Sequence, residues 1–194
     1  NTDYCWLLTD DDLIINGSIE KILIEIKYKY DLIITSSVIK NNSLTKTYIQ
    51  SRPNIKKNMI YKPNQIDQFV KTVNDQLTFV GCVIIRKEVW MRANRKKYFG
   101  TGFIHVGVIF DKIFQNNILV MKDPVTIIRF GDGHWQERSF KIWMIDWPKL
   151  IWSFKLLKSE SKLILSKKNP WTNNKSLLFM RSLGNYNYKI FSKY

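Results

Sequence analysis

Four short apolar runs, residues 4–8, 32–39, 79–85 and 118–130, are separated by stretches whose apolar side chains recur at helical spacing. That change of period restricts the chain to an α/β fold, because strand, helix and strand in alternation build a sheet with helices against its faces. The run 4–8 reads as a buried strand of a parallel sheet. Asn16-Gly17 then marks a turn, Ser18 is placed to cap a helix with Glu20 in its first turn, and Ile19, Ile22, Leu23 and Ile26 share a helical face. Residues 41–64 are polar and basic and carry Pro53 and Pro63, which predicts a long excursion with one short strand. Ile66, Phe69, Val70 and Val73 predict a helix over 66–77. Gly81 interrupts the strand 79–85, a helix is expected over 102–114, and Pro124 leaves one or two strands over 118–130. A Trp-rich and Lys-rich helical region follows.

The first run stops at three consecutive carboxylates, Asp10, Asp11 and Asp12. In open α/β sheets ligands gather at the carboxyl ends of strands. Hard divalent cations take carboxylate oxygens, and Mg²⁺ or Mn²⁺ is commonly held by one or two carboxylates while phosphates complete the shell. The competing explanation is local: Asp favours turns and helix caps whatever the protein does.

At 194 residues with 45% hydrophobic content, the chain can bury a core of its own. The two cysteines, Cys5 and Cys82, lie in apolar runs, and neither a disulfide framework nor a zinc spacing is present, which favours a reducing compartment. Charge interrupts every apolar run well short of a membrane span, so the expected location is the cytoplasm or the inner face of the cell membrane. Lys and Arg number 31 against 16 acidic residues, and ten of the fifteen excess charges fall after Gln136 and Glu137. The chain therefore divides into a domain over 1–137 and a basic, aromatic-rich tail over 138–194.

The stretch YCWLLTDDDLIINGSIEKIL resembles the central segment of family 2 glycosyltransferases with the GT-A fold, in which a strand ends at a DxD-type metal motif and a turn leads into a helix. FVGCVIIRKEVW, from Phe79 to Trp90, resembles the small-residue strand facing the donor sugar. YFGTGFIHVGVIF, from Tyr98 to Phe110, falls where many members carry a catalytic acidic pair. RFGDGHW, from Arg129 to Trp135, is similar to the mobile segment after the last core strand. The abequosyltransferase-like enzymes of bacterial surface polysaccharide synthesis are the nearest subgroup by these motifs, whose order and spacing carry the likeness.

The resemblance implies a partial GT-A-like, Rossmann-like mixed sheet flanked by helices, whose amino-terminal nucleotide-binding units would precede this stretch. It implies a sugar moved, with inversion, from a nucleotide-sugar donor to a glycan or lipid-linked acceptor, assisted by Mn²⁺ or Mg²⁺. Asp10 and Asp12, with His134 from the segment hinged at Gly131 and Gly133, would hold the metal. Asp10, Asp11, Gly81, Arg86, His134 and Trp135 would face the donor. In place of the acidic pair stands Phe103-Ile104-His105, so His105 is the candidate base and Asp111 its substitute. A His at this position equally suits burial against the sheet, with its ring on a backbone carbonyl.

The tail interleaves Phe140, Ile142, Trp143, Ile145, Trp147, Leu150, Ile151, Trp152 and Phe154 with Lys141, Lys149, Lys155 and Lys158. Trp and Lys together suit an anionic membrane surface, and they also suit a helix packed on the domain with its lysines in water. Two other functions fit parts of the sequence. A catalytically silent, sugar-binding transferase-like domain would account for the missing acidic pair. A nucleic-acid-binding module would account for the net charge of +15 but not for Asp10–Asp12, and nucleic acid is disfavoured.

Overall fold

The computed structural model describes residues 2–131 and 138–192. Seven strands form one mixed sheet: β1 (Tyr4–Trp6), β2 (Leu13–Ile14), β3 (Leu32–Asn41), β4 (Thr47–Arg52), β5 (Met59–Tyr61), β6 (Val83–Arg86) and β7 (Ile118–Phe130). Their order is β1-β6-β3-β7-β2, with β4 added to β3 and β5 to β7. The helices are α1 (Ser18–Glu25), α2 (Ile66–Val73), α3 (Lys87–Arg92), α4 (Ile104–Asp111), α5 (Ser139–Lys141), α6 (Trp147–Ser153), α7 (Ser159–Leu165), α8 (Asn174–Ser182) and α9 (Tyr188–Phe191). A π-helical turn, Ile142–Asp146, joins α5 to α6. No helix among the described residues is long and apolar enough to cross a membrane.

The expected mixed α/β class is present, and the long parallel pair β3–β7 is its spine. Over Leu32–Ile34 and Ile118–Met121 both strands are apolar on both faces because both faces are covered. Leu32, Ile34, Val83, Ile85, Ile118 and Val120 point to the larger core with α2, α4 and α6. Ile33, Ile84, Leu119 and Met121 point the other way, to a smaller core closed by Ile22 of α1 and by Tyr30. Each such buried aliphatic side chain contributes about 1.5–3 kcal/mol by removal from water.

Two expectations are corrected by the pairing. The run after Tyr4 is not a parallel strand: β1 is antiparallel to β6, with Tyr4 opposite Arg86 and Trp6 opposite Ile84. The excursion 41–64 holds two strands, not one, because β4 lengthens β3's side of the sheet and β5 lines β7. Trp147, Leu150, Ile151, Phe154 and Leu157 are buried in the larger core, so the segment after Arg138 supplies part of the layer that covers the sheet.

Candidate active site

The acidic run joins the two ends of the sheet's strand order. After β1, the N–H of Leu7 still donates to Val83 O at 3.0 Å, and after Asp12 the chain enters β2, which pairs with β7 through Leu13–Ile127 and Ile14–Thr126. Four strand spacings separate the two edges, on the order of 19 Å. Seven residue steps reach at most about 25 Å. Within that reach the connection has slack: it bends at Asp10 and Asp11, and the Thr9 hydroxyl reaches the Asp12 carboxylate three residues on. Among the described residues no group of three or more His, Cys, Asp or Glu side chains lies close enough to hold a metal ion.

Asp10 and Asp11 are exposed, whereas Asp12 is half-buried. Burial pushes the Asp12 carboxyl above its ordinary range, and the charge of Asp11 adds to this. The Thr9 hydroxyl, the backbone N–H of Arg129 and the Arg129 charge oppose the shift without cancelling it. The contact with Arg129 ties the acidic run to β7. Sequence reasoning passed over Arg129, although a lone cation in the apolar run TIIRF was a usable signal. Its Nε is buried and makes no hydrogen bond among the described residues.

The neighbours of Arg129 in β7, Ile128 and Phe130, line a cleft of about 910 Å³. Ile39 of β3 completes this floor, Thr78, Phe79 and the loop Gly100–Phe103 form one wall, and Lys141, Trp143, Asp146 and Trp147 come from the tail. Gly100 and Gly102 have φ values of 78° and 75°, a backbone that only glycine adopts without strain, and they turn the loop into α4. Phe103 then packs against Trp147, the rings tilted at 57° with centroids 4.6 Å apart.

The cleft's polar groups are mostly paired. Arg52 donates from Nε to Gln76 Oε1 at 2.8 Å and lies 3.4 Å from Asp75, while Lys141 pairs with Asp146. Gln76 is fully buried and donates to Thr35 O at 2.8 Å and Ser37 Oγ at 2.9 Å. Arg52 is thus aimed from beneath by the polar centre of β3. These cations and the carboxylates of Asp75 and Asp146 belong to the cleft, and only their distance along the chain hid them.

The sequence-predicted donor and base residues fall in several places. Gly81 is at the same sheet end as the acidic run. Its carbonyl accepts from Trp6 Nε1 at 2.9 Å, and a Cβ there would lie 2.3 Å from the Phe79 ring, so its smallness seats a cleft wall. Arg86 is at the opposite end of β6, beside Asp31 at 3.5 Å and Glu88 at 3.2 Å. Antiparallel pairing carries it away from the carboxylates and out of the donor role expected of it.

His105 is buried, with Nε2 2.9 Å from Leu77 O. Burial pushes its pKa down to about 4 against the opposing pull of that carbonyl. The geometry realises the packing alternative and leaves no base facing the cleft from this position. Asp111 ends α4, where it accepts from Tyr98 Oη at 2.6 Å and from the Asn94 N–H at 3.0 Å. Burial alone would raise its pKa; these donors outweigh it and hold the carboxyl low. It closes a loop and does not line the cleft. His134 and Trp135, with Gly133, lie outside the described residues.

No family model matches the chain, and no curated protein matches it either.

Proposed function

We propose that the chain carries the metal-assisted, acceptor-facing part of a glycosyltransferase of the family 2, GT-A-like kind, which moves a sugar from a nucleotide donor to a glycan acceptor, lipid-linked in bacterial surface polysaccharide synthesis. The observation that carries this reading is the junction of the acidic run with the cleft. Asp12 lies beside Arg129 of β7, whose neighbours Ile128 and Phe130 line a large cavity walled by aromatic rings and cations, while Arg129 and the three acids lie outside that lining.

Departure of a nucleoside diphosphate leaves a cationic sugar and a growing negative charge, and both need fixed partners. Asp10 and Asp12 fit a hard divalent cation. Two carboxylates leave room for phosphate and water in the shell, and a half-buried acid pushed up in pKa is one whose ionised form a cation would stabilise. Such an ion, when bound, neutralises the diphosphate as a Lewis acid. Arg129, beside Asp12, adds a fixed positive charge. Phe103, Trp143 and Trp147 offer flat apolar walls to a sugar ring. Asp146 and Asp75 are the cleft carboxylates able to take the acceptor hydroxyl's proton, the first held by Lys141 and the second by Arg52.

Isothermal titration of the full-length protein with a panel of sugar nucleotides, with and without Mn²⁺, tests the reading. Wild type should bind one of them in a metal-dependent way, and Asp10→Ala/Asp12→Ala should lose that binding. If the variant binds like wild type, or neither binds, the acidic run is only a connection. A second reading rests on His105 and Asp111, neither of which presents a base to the cleft: a silent, sugar-binding domain. Donor binding without turnover in the wild-type protein, unchanged by Asp146→Asn, would favour it.

A further inference from the structure

The aromatic stretch expected to meet a membrane is largely taken up by the core, since Phe140, Trp147, Leu150, Ile151 and Phe154 are all buried. The last part of the chain does the reverse. After Glu160 the sequence holds seven Lys or Arg and no acidic residue.

α8 is seated by one face. Its buried and half-buried positions are Ser176, Leu177 and Met180, in register with the cap Asn173, and Met180 packs on Phe140 and Met144. The Asn173 side chain accepts from the N–H groups of Lys175 and Ser176 at 3.0 and 3.4 Å, so cap and core together fix which face looks outward. That outward face carries Leu178 and Phe179, 66% and 60% exposed. Lys175 lies one turn before them and Arg181 one turn after Leu178. Trp171 in the turn before α8 and Tyr188 at the start of α9 are exposed as well.

Helical stability does not require an aliphatic and an aromatic side chain in water on a helix already anchored by its other face. The charged residues of α8 and of the chain on either side of it after Glu160 are all positive, so the complementary surface is negative, and the apolar centre requires something to enter. A nucleic acid supplies the charge but gives Leu178 nothing to enter. A second copy would set like charges against each other. A bilayer with anionic headgroups over an acyl interior supplies both. We propose that the outward face of α8, with Trp171 before it and Tyr188 after it, docks the protein on an anionic lipid surface. Leu178 and Phe179 enter the acyl boundary while Lys175 and Arg181 meet the phosphates. This inference rests on the tail's surface alone and stands whether or not the chain transfers a sugar.

Co-sedimentation with vesicles of phosphatidylcholine, alone or mixed with phosphatidylglycerol, tests it. The full-length protein should bind the mixed vesicles, bind neutral ones far more weakly, and release with added salt. Neutralising each cation should cost about fivefold in affinity, so Lys175→Gln/Arg181→Gln should lose about 25-fold. Leu178→Ser/Phe179→Ser should lose tenfold or more with little change in melting temperature, because both side chains are mostly in water. Equal binding to neutral and anionic vesicles, no vesicle binding at all, or wild-type affinity in either double variant would overturn the proposal. So would self-association that Leu178→Ser/Phe179→Ser abolishes, which would assign the face to a second copy.

Discussion

Replacing His105 by Gln separates its two roles by a measurement of stability. In the fold the imidazole titrates at about 4 against an ordinary value of 6.5, because burial excludes the charged form. Between those values the unfolded chain binds a proton that the folded chain refuses. Stability therefore rises with pH across this window and is lost as pH falls from 6.5 towards 4. The linkage relation gives about 2 kcal/mol less stability at about pH 5 than at about pH 7.5. In urea this is a drop in midpoint of about 1 M, for a slope of about 2 kcal/mol/M. A Gln amide can donate to Leu77 O in place of Nε2 but cannot titrate. His105→Gln should keep stability near neutral pH to within about 1 kcal/mol and lose the dependence between pH 6.5 and 5. Asp31 and Asp111 are held below the ordinary carboxylate range and unload at lower pH, while Asp12, shifted the other way, is common to both proteins. Urea titrations of both proteins across this range, with the imidazole signals followed by NMR, decide the matter. Equal loss of stability in both proteins, or a His105 resonance titrating near 6.5, would refute the burial argument and return His105 to the cleft as a candidate base.

Two further perturbations probe the frame around the cleft. Gly107→Ala would place a Cβ 2.2 Å from Cγ of Tyr98, a ring held by its bond to Asp111 and packed on Phe154, so neither side yields cheaply. A loss of about 1–3 kcal/mol should appear in thermal melts, and a melting point at the wild-type value would show that the α4 contact is looser than described. Asp31→Asn removes a buried carboxylate that accepts from the N–H groups of Gln115 and Asn116 at 2.7 and 2.9 Å, from Asn116 Nδ2 at 2.9 Å, and pairs with Arg86. Burial alone would raise its pKa, but these donors outweigh it, so its stabilisation is present above the ordinary carboxylate range and is lost as pH falls through the depressed value. The variant should be about 1.5–3 kcal/mol less stable near pH 7 and should lack that acid-side loss; an equal acid limb in both proteins would assign it to other groups.

What the sequence made legible depended on whether the deciding contact was local. β3 and β7 were readable because burial on both faces writes apolar residues in succession, Leu32–Ile34 in one and Ile118–Met121 in the other. β4 was not, since a strand with its middle residues in water shows no alternation, and β5 is too short to show any. The direction of β1 was invisible for a different reason: composition reports how many faces are covered and says nothing about which neighbour covers them. His105 had two local explanations, and the choice between them was made by Leu77, 28 residues away. The Trp-rich stretch likewise suited core or membrane until Phe103 claimed Trp147. The acidic run is the sharpest case. Its chemistry was plain in three letters, but its geometry is set by the span between β1 and β2, which a two-residue strand pins to β7. The crossing does not gather three carboxylates around one point among the described residues. It can present two to a ligand that brings its own oxygens, and a diphosphate is such a ligand. The same crossing delivers Asp12 to Arg129, on the strand whose Ile128 and Phe130 floor the cleft.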